Sequence, residues 1–335
     1  MSITTTDLDV RPNVGRHPAT RRHLALVPAS ISDEERVLRW GRSSVSPFTL
    51  GPDREVIHLP CTGVTGIVVR GGHAVMATDP VTPPGAKALG VSELLDTLAL
   101  RGLAPVFAAV VGPEHYRRLG LFAWPIAEDA VIDLRTFSLA GSRRASIRHS
   151  VSSAGRSGLR TAAWSERFAV GARAVSDAWL ATKRGGEMRF TLGRFEPDEF
   201  GRTDCRVALD GDGRVIGFVT WHRFDDGRGR VLDLMRRSPD APNPTMDLLI
   251  ADSLLGFSAE GVQTASLGSV PLSRGRLAEH CFPTRSLWQY KNKFDPSWEP
   301  RHLVTTSRWR LPLALGSIIG SYCPGGLVSA ARSNA

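Results

Sequence analysis

The stretch from Arg228 to Arg274 constrains the fold more than any other part of the sequence. A short apolar run, Val231–Met235, is followed by a segment rich in proline and aspartate and then by apolar residues at helical spacing from Met246 to Phe257. After Gly261, residues Thr264–Leu267 have the pattern of a second short strand. This order predicts two parallel strands that are joined by a crossover helix.

A similar order of elements recurs elsewhere in the chain, so we predict an α/β fold with mixed sheets, built from two related units. The alternation and spacing of apolar residues predict, in chain order, a helix at 31–41, a hairpin at 66–77 around Gly71-Gly72, a helix at 91–102 with Ser92 as N-cap, strands at 105–111 and 130–134, a helix at 164–183, and a hairpin at 206–221 around residues 210–213. The two halves share this order but few residues.

Composition along the chain suggests five segments. Residues 1–30 have the composition of a disordered tail, and 31–140 form the first unit. Residues 141–160 carry the basic sequence GSRRASIRHSVSSAGRSGL and are predicted to form a linker helix. The second unit is predicted at 161–311, followed by a C-terminal tail at 312–335.

The charge of the chain restricts the partners we expect. The formal net charge is +9 and the pI is about 10.1, which favours RNA or an anionic membrane surface, although an arginine-rich composition alone would give the same value. Four scattered cysteines without a CxxC pair suggest neither a zinc site nor a disulfide framework. Because no run suits a signal peptide or a membrane span, we predict a cytoplasmic protein that could contact the inner face of the plasma membrane.

Several blocks of sequence resemble a known family. They include Thr78-Asp79-Pro80, Glu128–Leu134, Phe190–Phe195, Asp233-Leu234-Met235-Arg236 and Tyr290–Arg301. In these blocks the chain resembles the catalytic C-terminal domain of phosphatidylglycerol lysyltransferases. The resemblance implies a tandem pair of acetyltransferase-like (GNAT) folds, aminoacyl-tRNA as donor and a membrane lipid as acceptor, with no bound cofactor. Full-length family members carry transmembrane helices ahead of this domain, and here none is seen, so a soluble alcohol or amine stays open as acceptor.

Asp233 and Arg236 are the predicted catalytic residues. An acid inside an apolar strand needs a partner or a chemical role, because burial of an unpaired charge is costly. The resemblance implies that Asp233 holds the ammonium of the aminoacyl group and that Arg236 faces its carbonyl oxygen or a phosphate. Residues three apart on a regular strand point to opposite faces, so this role requires a bulge. A structural Asp233–Arg236 ion pair is the alternative.

The segment after this strand argues against coenzyme A as donor. Residues 238–244 contain three prolines, no glycine and Asp240, so they are a poor cradle for a diphosphate. Aminoacyl-tRNA is already an activated ester and needs no covalent enzyme nucleophile. We therefore expect an aminoacyl-tRNA-dependent aminoacyltransferase that carries a lysyl or alanyl type of group. An acyl-CoA-dependent N-acyltransferase and a non-catalytic tRNA-binding module are the alternatives.

Further residues are candidates for substrate binding and docking. Lys183 and Glu187 flank a Gly pair, and Asp247 in the first helical turn is either a substrate ligand or a partner of the helix dipole. Cations on the linker helix or among aromatic residues are predicted to dock tRNA or a lipid head group, namely Arg143, Arg144, Arg148, Lys291, Lys293 and Arg301. A merely solvated helix face is the alternative for the linker. His222 lacks a partner at metal-ligand spacing, and we predict no metal site.

Overall fold

The computed structural model describes residues 31–182, 190–191, 193–196, 203–272 and 284–322. The predicted disordered tail at 1–30 and the last part of the predicted C-terminal tail, 323–335, lie outside these residues. Within the described residues, no helix is both long enough and apolar enough to cross a bilayer.

The described residues contain eleven strands and eight α-helices. The strands are β1 (Glu55–His58), β2 (Val64–Arg70), β3 (His73–Met76), β4 (Ala104–Val110), β5 (Phe122–Asp133), β6 (Arg160–Ala163), β7 (Asp204–Leu209), β8 (Val215–Phe224), β9 (Gly229–Arg237), β10 (Thr264–Pro271) and β11 (Ser297–Thr305). The helices are α1 (Asp33–Trp40), α2 (Lys87–Leu100), α3 (Glu114–Arg118), α4 (Ala145–Arg156), α5 (Ala169–Ala181), α6 (Thr245–Ala259), α7 (Thr284–Asn292) and α8 (Leu311–Tyr322). Short 3-10 turns lie at Ser46–Thr49, Glu166–Phe168 and Arg308–Arg310.

All described strands belong to one mixed sheet in the order β1-β2-β3-β4-β11-β5-β10-β9-β8-β7-β6. Helix α2 joins the parallel pair β3–β4, and α6 joins the parallel pair β9–β10, while the other neighbours run antiparallel. The predicted crossover unit and the α/β fold class with two related halves are therefore confirmed.

Strand β11 connects the two halves, although the division of the sequence into consecutive segments assigns it to the second unit alone. It follows the second unit in sequence, yet it pairs with β4 on one side and with β5 on the other. On its far side β5 pairs with β10, so the sheet continues without a break from one half to the other. Residues of the predicted C-terminal tail up to Tyr322 belong to α8, which packs on β2 and β3.

Local sequence explains most boundaries. Ser32 caps α1 by accepting a hydrogen bond from the Glu35 N–H, and Gly71 and Gly72 adopt the positive φ values (54° and 77°) that the β2–β3 turn requires. The predicted N-cap of α2 is wrong. Helix α2 begins at Lys87, and the Ser92 hydroxyl donates to the Ala88 carbonyl one turn earlier inside the helix.

The two faces of the second half carry different helices. One face buries Trp221 and Leu232 against α6, whereas the other buries Phe218 and Leu234 against α5. The predicted helix at 164–183 is shorter than expected, because α5 begins only at Ala169 after the 3-10 turn. The linker helix is present as α4, and it packs on α6 through the buried Ile147 and Ala154.

Candidate functional site

A β-bulge on β9 shapes the candidate site. Leu232 pairs with Trp221 and Met235 with Val219, so β9 has two residues, Asp233 and Leu234, where β8 has Thr220 alone. The Leu234 N–H donates to the Thr220 hydroxyl at 3.0 Å. The extra residue brings the side chains of Asp233 and Arg236 to the face that carries α5, as the hypothesis of a shared pocket requires.

Asp233 is held on both of its oxygens. The Gly193 N–H donates to Oδ1 at 2.7 Å, and His222 Nε2 lies 3.1 Å from Oδ2. The Asp233 side chain is 4% exposed and that of His222 is 29% exposed. A carboxylate only accepts hydrogen bonds, so the tautomer of His222 that bonds Asp233 carries its proton on Nε2 and has Nδ1 as a proton acceptor. The Phe48 ring packs edge-on against this imidazole at 5.2 Å.

Arg236 is buried under α5. Its guanidinium donates to the Ser176 hydroxyl and lies over the Trp179 ring, 5.1 Å from the centroid. A cavity of about 870 Å³ opens on the same side of the sheet, between α5 and the β7–β8 hairpin, with Val175 and Ser238 in its lining. Asp233, His222 and Arg236 are not among the residues that line this cavity, so this side of the sheet holds the fixed charges while the open space lies toward the β7–β8 hairpin.

Strands β9 and β10 part soon after they begin to pair. Their register runs only from Thr264–Gly229 to Ser266–Val231, and beyond it Lys291 from α7 reaches the freed β10 carbonyls. Its Nζ donates to Gly268 O at 2.9 Å and to Ser269 O at 3.3 Å. Burial lowers the pKa of Lys291 to about 8. The docking role predicted for Lys291 is corrected, because the amine is buried and bonded inside the fold.

Asp247 and Lys293 form a pair on the opposite face of the sheet. Lys293 Nζ lies 2.5 Å from Asp247 Oδ2 and 4.9 Å from the centroid of the Tyr290 ring. Burial, reinforced by Asp247, raises the pKa of Tyr290 well above its ordinary value. Asp247 is in the first turn of α6 and therefore lies across the sheet from Asp233. This arrangement does not bring Asp247 or Lys293 to the predicted catalytic pair.

Arg301 is buried and ion-paired with Asp129 at 2.6 Å. Both residues line a small cavity of about 310 Å³ at the junction of the two halves, together with Ser44 and Ser266. A docking cation has to reach a partner at the surface, and Arg301 is only 2% exposed. Its predicted docking role is therefore replaced by an internal one.

The arginines of the linker segment differ in how far their side chains are bonded within the protein. Arg144 donates to the carbonyls of Phe294 and Ser138, and Arg148 donates to the Leu139 carbonyl at 2.6 Å. Arg143 is 82% exposed, with Asp295 3.6 Å away. Of these predicted docking residues, Arg143 presents its charge to solvent most fully, while Arg144 and Arg148 also brace the loop ahead of α4.

The loop between β9 and α6 uses its backbone donors internally. The N–H groups of Ser238, Ala241 and Thr245 donate to carbonyls of Ile216, Ser238 and Pro242. The Asp240 carboxylate accepts from the Ser238 hydroxyl, and this contact lowers the pKa of Asp240. These amides are consequently not directed toward a diphosphate.

Two predicted substrate residues, Lys183 and Glu187, lie outside the described residues. Conversely, four residues that the sequence analysis gave no role contact the catalytic candidates, namely His222, Gly193, Ser176 and Trp179. Gly193 carries the clearest signal, because a Cβ at this position would collide with the Asp233 carboxylate. The sequence block around it had been noticed only through the resemblance.

Comparisons with known proteins agree with the resemblance. The model of the family described as "Phosphatidylglycerol lysyltransferase, C-terminal" matches residues 34–305. The "Lysylphosphatidylglycerol biosynthesis bifunctional protein LysX" of Mycobacterium avium (strain 104) is 28% identical over 311 residues, covering 82% of this chain and 26% of that protein. The "Phosphatidylglycerol lysyltransferase" of Staphylococcus xylosus is 29% identical over 210 residues, covering 56% of this chain and 25% of that protein. The chain thus spans about a quarter of the length of these relatives.

Solved structures show the same fold. The C-terminal domain of a putative lysylphosphatidylglycerol synthetase from Agrobacterium fabrum superposes with a TM-score of 0.74 at 26% identity, covering 84% of this chain and 92% of that one. L-PGS from Bacillus licheniformis gives a TM-score of 0.74 at 24% identity, with 84% and 93% coverage. The predicted fold is therefore confirmed beyond the order of elements.

Proposed function

Because the chain belongs to the family of phosphatidylglycerol lysyltransferase C-terminal domains, we propose that it moves an aminoacyl group from aminoacyl-tRNA to a hydroxyl of phosphatidylglycerol or a related lipid. The observation that carries this proposal is the placement of Asp233, His222 and Arg236 on one face of the sheet, the face on which α5 packs. This face has a proton acceptor, a carboxylate and a cation, the groups that the transfer needs.

The transfer is a single displacement at the ester carbonyl. The acceptor oxygen bonds to the carbonyl carbon, and the bond from that carbon to the tRNA ribose oxygen breaks. The proton of the acceptor hydroxyl passes to His222 Nδ1 and then to the departing ribose oxygen. Asp233 holds His222 through Nε2. A carboxylate has about four lone-pair positions, so Asp233 also accepts a hydrogen bond from the ammonium of the aminoacyl group.

Arg236 supplies positive charge where the carbonyl oxygen becomes negative. Its contacts with Ser176 and Trp179 fix the guanidinium before the substrate arrives. A charge that is already oriented stabilises the transition state without reorganisation during the reaction. We therefore assign Arg236 to the carbonyl oxygen of the ester, with the lipid phosphate as the second possible contact.

The β9–α6 loop favours aminoacyl-tRNA over acyl-CoA as donor. Its amides are bonded within the protein, and Asp240 and Asp247 place negative charge at the start of α6. Both features disfavour a diphosphate at this position. The exposed Arg143 offers one contact for the tRNA backbone.

The acceptor is assigned by family membership. The relatives named above are called lysylphosphatidylglycerol biosynthesis proteins or phosphatidylglycerol lysyltransferases, and the substrate class comes from those names. A lipid acceptor places the protein at the inner face of the plasma membrane, where aminoacyl-tRNA is also available.

The test is incubation of the chain with a pool of tRNAs charged with labelled amino acids and with phosphatidylglycerol in detergent. We expect label to appear in the lipid, and Asp233→Asn to abolish it without a change in thermal unfolding. Asp212→Asn, in the exposed turn between β7 and β8, is the matched control and should retain transfer. Transfer from acyl-CoA but not from tRNA, or tRNA binding with the ester intact, would refute the proposal.

A further inference from the structure

Helix α8 has an unusual outer face for a surface helix. Its sequence, LPLALGSIIGSY, contains no charged residue, although only Ala314, Ile318 and Ser321 are buried against the sheet. The outward positions are Pro312, Leu313 and Gly316, and Leu313 is 63% exposed. A helix that faces water normally carries polar residues on that side, so this face is suited to a less polar environment.

Aromatic and basic residues lie next to this face. The 3-10 turn Arg308–Arg310 leads directly into α8, and its Trp309 is 78% exposed with the Arg308 guanidinium 4.5 Å from its ring centroid. Tryptophan combines a large apolar ring with a polar N–H and favours the boundary between lipid and water. Arginine beside it adds attraction to anionic head groups.

Trp124 lies on the same side of the sheet as α8. It pairs with Leu303 on β11, which ends at Thr305 just before the 3-10 turn. Leu303 packs in the core that holds α8 residues Ala314 and Ile318. Trp124 is 51% exposed and stacks on Phe122. An exposed second tryptophan therefore lies on the side of the sheet that α8 covers.

The charge of this region has one sign. Residues 300–322 contain Arg301, Arg308 and Arg310 but no aspartate or glutamate. Of these arginines, Arg301 is used internally by Asp129, whereas the two in the turn flank Trp309. An anionic surface complements such a region, and a flat bilayer needs no groove to receive it.

We propose that this surface, made of Trp124, Arg308, Trp309, Arg310 and Leu313 and here called the α8 surface, inserts into the head-group region of an anionic lipid bilayer. The proposal rests on the proposed function and deepens it, because it states which surface of this chain would meet the bilayer that holds the lipid acceptor. The occupant is the bilayer itself and not a lipid molecule in the catalytic cavity.

The test is sedimentation of the full chain with vesicles of phosphatidylcholine alone or mixed with phosphatidylglycerol. We expect binding to the mixed vesicles, and the double variant Trp309→Ser, Leu313→Ser to bind about tenfold or more weakly, because two apolar side chains no longer enter the lipid. The control is the double variant Leu100→Ser, Val170→Ser. It replaces two apolar side chains that are 91% and 84% exposed but lie outside the α8 surface. Control binding should equal that of the parent.

Charge is tested separately with Arg308→Gln, Arg310→Gln. This variant should lose preference for phosphatidylglycerol-containing vesicles over neutral ones, and thermal unfolding should be unchanged in all variants. Equal vesicle binding by the parent and the serine variant would overturn the proposal. So would a serine variant that binds vesicles normally but loses affinity for tRNA, because the α8 surface would then be an RNA contact.

Transfer assays separate this proposal from the proposed function. If both hold, the serine variant transfers label to phosphatidylglycerol in detergent as well as the parent does, but transfers less to phosphatidylglycerol in vesicles. If vesicle binding depends on the α8 surface and no charged tRNA serves as donor in either assay, the proposed function fails and the membrane contact stands.

Discussion

Arg301 on β11 donates through Nη2 to Oδ2 of Asp129 on β5 across 2.6 Å, where neither side chain has appreciable contact with solvent. The same carboxylate accepts hydrogen bonds from the hydroxyls of Ser44 at 2.6 Å and Ser266 at 2.8 Å. One acid thus ties together the segment before the first 3-10 turn, β5, β10 and β11. A buried pair of this kind is stable only while both charges are present.

Arg301→Met should lower the free energy of unfolding by about 3–5 kcal/mol, because it leaves the Asp129 carboxylate buried without its cation. Urea unfolding measures the change. Arg135→Met removes an exposed pair with Asp133 and should leave the free energy of unfolding nearly unchanged, because water screens exposed pairs. If Arg301→Met lowered the free energy of unfolding no more than Arg135→Met does, the Ser44 and Ser266 hydroxyls and water would be enough to stabilise the buried Asp129 carboxylate.

The sequence predicted those parts of the fold in which neighbours in the chain are neighbours in space. The strand, helix and strand from Gly229 to Pro271 were recognisable because apolar spacing changes from that of a strand to that of a helix. The position of β11 in the sheet was not recognisable, because alternation of apolar and polar residues indicates a strand but does not indicate which strands it pairs with. Arg301 and Asp129 are 172 residues apart in the chain, so the sequence gives no sign that Arg301 is buried in an ion pair.

The sequence predicted the acid of the candidate site, Asp233, and the bulge beside it, but not the residues that contact them. An acid in a buried strand draws attention by its cost, which is how Asp233 was selected. His222 is one of nine histidines in the chain, and only the pairing of β8 with β9 brings it to Asp233. Lys291 and Lys293 lie two residues apart near aromatic residues, and only α7 packing shows that both are bonded internally.

Lys291 should make stability depend on pH. Its pKa is about 8 in the folded protein, against an ordinary value of 10.5, so the unfolded chain binds more protons between these values. Stability should therefore be lowest below about pH 8 and rise toward about pH 10.5, by on the order of 3 kcal/mol at most.

Urea unfolding of the parent and of Lys291→Met across this range isolates the effect, because titrations common to both proteins cancel. The difference between them should change with pH across this range. A difference that stays constant with pH would contradict the lowered pKa of Lys291.

Gly193→Ala should reduce transfer by about tenfold or more, since the new Cβ collides with the Asp233 carboxylate and displaces it from His222. Initial transfer rates and thermal unfolding measure the two effects. Gly211→Ala is the matched control, because its Cβ would meet no atom within 4 Å. If Gly193→Ala retained the parent rate, close contact between this backbone and Asp233 would have no part in transfer.

His222→Gln should lower the transfer rate by about 10²–10⁴-fold, the usual contribution of a general base. The glutamine amide can still donate to Asp233, so the position of the carboxylate is kept while the proton acceptor at Nδ1 is lost. Single-turnover transfer with preloaded aminoacyl-tRNA measures the chemical step, and tRNA affinity should be unchanged. The exposed His58 bonds Asp33 through Nε2 at 2.9 Å, so His58→Gln makes the same chemical change at an equivalent pair far from the site. That control should keep the parent rate.

If His222→Gln kept the parent rate, a group other than His222 would take the proton of the acceptor hydroxyl. The role of Asp233 would then be limited to binding the ammonium of the aminoacyl group.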